Sequence, residues 1–132
     1  MTMKLVTVAQ MTVRVSGIAL LILGVIFWTG NLDSLHLLHI LLGLLLVLGL
    51  WTLALIAIRA QVAVGIAVLA LAWGVIAPAL GLTQVNLLPG GWHWVIQVLH
   101  LLVGVGAIGI AEALGAGIKR SGRAAAPGSR AA

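Results

Sequence analysis

Four long apolar stretches alternate with three short polar ones along the chain: about 13–29, 35–58, 62–82 and 92–118. None alternates with a period of two, and each comes close to or exceeds the roughly 18 consecutive apolar residues expected of a transmembrane helix. Crossing ~30 Å of hydrocarbon takes about 20 helical residues. The first helix is therefore expected to begin a few residues before Arg14, inside a short amphipathic lead that carries Lys4. Arg14 then snorkels toward the interface. No small-residue cleavage site follows this run, where the chain reads Phe27-Trp28-Thr29-Gly30-Asn31, so the segment is expected to be retained.

The connections set the architecture. Gly30 to Ser34 reads as a turn, with Asp33 or Ser34 available to cap the second helix. Arg59-Ala60-Gln61 is too short to do more than reverse the chain, which makes the second and third helices antiparallel neighbours. Pro78 is expected to kink the third helix near its end. Thr83 to Gly91 is the longest loop, and 119–132 reads as a disordered, basic cytoplasmic tail. The expected fold is all-α: an integral membrane four-helix bundle occupying 1–118.

Composition agrees and adds an orientation. The chain is 63% hydrophobic and 7% charged, against about 25% charged in soluble domains. All seven Lys and Arg residues fall on one side of the four-span arrangement: Lys4, Arg14, Arg59, Lys119, Arg120, Arg123 and Arg130. By the positive-inside rule both termini are cytoplasmic, and the expected location is a bacterial cytoplasmic membrane. Trp28, Trp92 and Trp94 then mark the opposite interface. The net charge of +5 sits at segment ends and in the tail, not on a basic face interleaved with aromatics, so nucleic acid is not an expected partner. Without cysteine there is no disulfide, thiolate chemistry, iron–sulfur cluster or thioether-bound haem. Asp33 and Glu112 are the only acids, which leaves no carboxylate pair for hydrolysis. Glu112 is expected to pair with Arg14 or Arg59.

The chemistry that remains is imidazole. Leu38-His39-Ile40-Leu41-Leu42-Gly43 in the second span is echoed by Leu99-His100-Leu101-Leu102-Val103-Gly104 in the fourth. A weaker echo relates Gly17-Ile18-Ala19 and Gly24-Val25-Ile26 to Gly65-Ile66-Ala67 and Gly74-Val75-Ile76. Together these suggest a duplicated helical hairpin with a pseudo-twofold axis along the membrane normal. That axis sets His39 across from His100. His36 lies three residues before His39, and His93 seven before His100, spacings that return to the same helix face. All four imidazoles can thus converge near the outer surface. An intramembrane histidine is a functional-site hypothesis by default. Two imidazoles on facing helices suit axial ligation of one haem b, held non-covalently. Gly43 and Gly104, one turn beyond each histidine, leave room for the macrocycle, and His36 and His93 sit at the interface where its propionates emerge.

In these residues the chain resembles membrane-embedded bis-histidine b-type cytochromes. The resemblance implies haem iron bound by His39 and His100 beside Gly43 and Gly104, and a role in electron transfer or redox sensing. One ligand pair near one face implies exchange with a quinol or an external redox partner. The competing readings are a cofactor-free membrane protein (a small transporter, channel subunit or assembly factor) and a zinc or copper site built from three or four histidines. Ala107, Ala111 and Gly115 form a small-residue stripe that suits helix packing within the chain or in a homo-oligomer.

Overall fold

The first helix, α1 (Thr2–Thr29), runs unbroken for 28 residues. It takes in most of the amphipathic lead because neither glycine nor proline occurs before Gly17, and Val6, Ala9 and Val13 are buried in the core. The structure is a computed structural model and describes residues 2–30 and 33–124. The second helix, α2 (His36–Arg59), follows a 3-10 turn, Asp33–Leu35. That turn moves the N-cap position to Leu35, which makes no side-chain cap bond. The expected cap by Ser34 is therefore not at the helix start, and the Asp33 side chain lies outside the described residues. Next come α3 (Val64–Thr83), which continues through Pro78, and α4 (His93–Ala124). The last helix extends past Lys119, where a disordered tail was expected, and 125–132 lies outside the described residues.

All four helices are long and apolar enough to cross a membrane. Each packs on its sequence neighbour, α1 closes the ring against α4, and α2 also touches α4 across the diagonal. The link between α2 and α3 is tight: Gln61 and Ala63 adopt φ of 54° and 48°, and Gln61 Nε2 donates to the Ile58 carbonyl at 2.9 Å. Leucines and valines such as Leu37, Leu48, Val68 and Leu82 cover the perimeter. This suits a lipid surround, where exposed apolar surface carries no penalty.

What holds the helices together is small against large. Leu50, Leu53, Leu114, Val6 and Val13 are fully buried among alanines, including Ala54, Ala57, Ala70, Ala107 and Ala111. This dense packing lies toward the basic end of the bundle. Two tryptophans repeat one docking device. Trp51 Nε1 donates to the Leu71 carbonyl at 3.2 Å, and a Cβ on Gly74 would overlap its indole. Trp73 Nε1 donates to the Val103 carbonyl at 2.8 Å, and a Cβ on Gly106 would come within 2.9 Å of its ring. In both cases the carbonyl precedes the glycine by three residues, so the missing side chain uncovers the acceptor. Both indoles are thus packing residues. The glycine echo between α1 and α3 has no counterpart in packing: Gly17 admits Ile108, whereas Gly65 faces open space.

Gly106→Ala is expected to push Trp73 off its carbonyl and lower stability by about 1–3 kcal/mol, the usual size of an overpacking penalty. Thermal unfolding in detergent, read by tryptophan fluorescence, checks this. A variant as stable as the parent would show that the indole docking contributes nothing.

Candidate functional site

At the end of the bundle opposite the dense core, each helix contributes one group to a small cluster. His39 comes from the first turn of α2 and His100 from the third turn of α4. Their ring centroids are 6.3 Å apart with the planes tilted by 42°. Phe27 of α1 stacks on His36 at 4.8 Å, nearly parallel, and leans on His39 at 5.5 Å. Gly81 of α3 makes room for His100, since a Cβ there would come within 2.9 Å of His100 Cε1. Both histidines are half-buried. Among the described residues, His39 Nδ1 and His100 Nδ1 are the buried side-chain polar atoms without a hydrogen-bond partner. Leaving such a group unpaired costs about 1–3 kcal/mol, and native proteins keep few of them.

The four imidazoles do not converge. His36 is exposed and stacked on Phe27. His93 Nδ1 lies 3.2 Å from the Leu87 carbonyl in the preceding loop, and its position seven residues before His100 places it about 10 Å further along the helix. Among the described residues no three of His, Asp and Glu form a group able to hold a metal ion. The expectation of a zinc or copper site from three or four histidines is therefore corrected. Phe27 holds His36, and the loop backbone holds His93.

His39 and His100 are neighbours with planes tilted by 42°, but they are not set as a pair of opposed ligands. Both rings carry an uncommitted nitrogen. A Cβ on Gly43 or on Gly104 would meet nothing within 4 Å, so space is open beside each histidine. The Cε1 edge of His100 is turned toward Gly81, so ligation requires that ring to rotate toward α2. Sequence reasoning missed Phe27 and Gly81. Nothing in spacing or repetition singles out the chain's one phenylalanine or a glycine after Pro78.

A second polar cluster joins α1 to α4. Arg14 grips Glu112 with two bonds, Nε to Oε1 at 2.5 Å and Nη2 to Oε2 at 2.7 Å. Buried Gln10 donates from Nε2 to Glu112 Oε2 at 3.2 Å and accepts from Lys119 Nζ. Gly115 makes this possible, because a Cβ there would overlap the Gln10 amide. Of the two partners expected for Glu112, the structure selects Arg14. Three donors satisfy the carboxylate, which suits a clamp between helices.

No protein-family model matches the chain, and no curated protein or solved structure matches it.

Glu112→Gln leaves the Arg14 guanidinium without its counter-ion in an apolar surround, so it is expected to lower the unfolding temperature by several degrees. The double variant Arg14→Met/Glu112→Gln removes both charges and is expected to recover part of that loss. Thermal unfolding of both single variants and the double checks the cycle. Strict additivity would remove the coupling.

Proposed function

We propose that this chain is a four-span membrane cytochrome of the b type, with one haem held between His39 and His100. In this reading both termini are cytoplasmic, as the distribution of Lys and Arg directs. The observation that carries it is the pair of half-buried imidazoles on facing helices, 6.3 Å apart, each with a buried nitrogen that no protein group satisfies. Open space beside Gly43 and Gly104 supports it further.

Each part of the site has a task in this scheme. His39 and His100 donate lone pairs from α2 and α4, the two helices that touch across the diagonal. Phe27 covers His39 from α1 and keeps water from that face. Gly81 receives the His100 ring in its present orientation, from which the ring would turn toward α2 to bind. His36 and His93 lie nearer the surface, where they can meet charged groups without entering hydrocarbon. A haem bound here supplies a one-electron couple between ferric and ferrous iron. Because the site lies near one end of the bundle, a haem held there would exchange electrons with a quinol or an external partner on that side.

The detergent-purified chain from haem-sufficient cells is expected to show a Soret band, with sharp α and β bands after dithionite. His39→Ala and His100→Ala should each abolish the low-spin spectrum while helical circular dichroism is retained. A colourless wild-type protein, unable to take up added haem, would overturn the reading and leave the pair as a contact between α2 and α4.

A further inference from the structure

The Arg14–Glu112 clamp lies at an unusual place for two charges. Gly117 marks the level of the link between α2 and α3, because a Cβ there would lie 3.3 Å from Val62 Cγ1. Glu112 is five residues further toward the histidine end, about 7–8 Å along the helix. On the other side, Gly17, three residues beyond Arg14, is level with Leu46 and Ile108 in the body of the bundle. The ion pair is thus inside the apolar zone and not at its edge. Yet it faces outward, with side-chain exposures of 48% for Arg14 and 37% for Glu112. Charges within transmembrane segments almost always face a protein interior or water.

We propose that a second copy of this chain covers the α1–α4 seam, with Arg14 of each copy set against Glu112 of the other. Three features point to a copy of the same chain. Arg14 Nη1 is left with only the Met11 sulfur, 3.9 Å away, so its donors are available to an outside acceptor. A twofold axis along the membrane normal presents each outward guanidinium with an outward carboxylate, so the patch complements itself. Gly109 and Ala113 are exposed on the face of α4 next to Glu112, and nothing stands near Gly109. They let two such helices approach closely. The stripe Ala107, Ala111 and Gly115 cannot serve here, because it is buried within the chain. A phosphate headgroup would satisfy Arg14, but it would bring a second anion against Glu112. This pairing is independent of what the two histidines hold.

The chain has no cysteine, so single cysteines can be placed without background. Gly109→Cys and Ala113→Cys probe the α4 flank of the seam, on the side of Glu112 away from α1, and Val68→Cys, exposed on α3, is the control. Oxidation of the full-length variants in native membranes is expected to give a covalent dimer at 109 or 113 and little at 68. Adding Glu112→Gln should lower that yield several-fold. Equal cross-linking at all three positions, or none at 109 and 113, overturns the proposal. A monomer whose bound anionic lipid is lost in Arg14→Met would overturn it too, and would assign the seam to a phosphate headgroup.

Discussion

Helices in lipid gain nothing by hiding apolar surface from the solvent around them, so they must be held together by fit. Five contacts between the helices answer that constraint in the same way. A large side chain meets an absent one: Trp51 on Gly74, Trp73 on Gly106, Ile108 on Gly17, Val13 on Gly49 and Gln10 on Gly115. The two indoles also bond to carbonyls of the next helix, which satisfies their N–H groups where no water is present. Glycine-rich composition is therefore the means by which an apolar chain specifies one packing.

The same constraint explains the contrast between the two ends of the molecule. Toward the basic end, alanines and leucines form a tight core, and Arg14, Gln10, Glu112 and Lys119 bond to one another. Toward the histidine end, two ring nitrogens among the described residues are buried without partners, and Gly43 and Gly104 are among the glycines with open space beside them. A chain that joins its polar groups at one end leaves a paired deficit at the other. That deficit is the observation on which the haem proposal rests.

Much of this was legible before any coordinates. Run length sets the four helices, and the repeated Leu-His motif singles out His39 and His100. The short link at Arg59 makes α2 and α3 antiparallel. Other expectations did not survive. Helical periodicity places His36 on the His39 face, and Phe27 indeed touches both rings, but His36 is stacked on Phe27 and His93 is taken up by the loop carbonyl of Leu87, so the four do not meet at one point. Period alone gives the direction of a side chain from its own axis and says nothing about which neighbour arrives there.

The sequence by itself determined the class of molecule, the number and order of its helices, the absence of thiol chemistry and the identity of the imidazole pair. These follow from hydropathy, run length and residue type, which act locally. Only the tertiary structure decided that Arg14 and not Arg59 grips Glu112, that Gly81 and Phe27 frame the histidines, and that Trp51 and Trp73 dock on helix carbonyls. Each of those depends on the rotation and register of one helix against another. Close contact between side chains far apart in the chain sets them, and no local pattern encodes it.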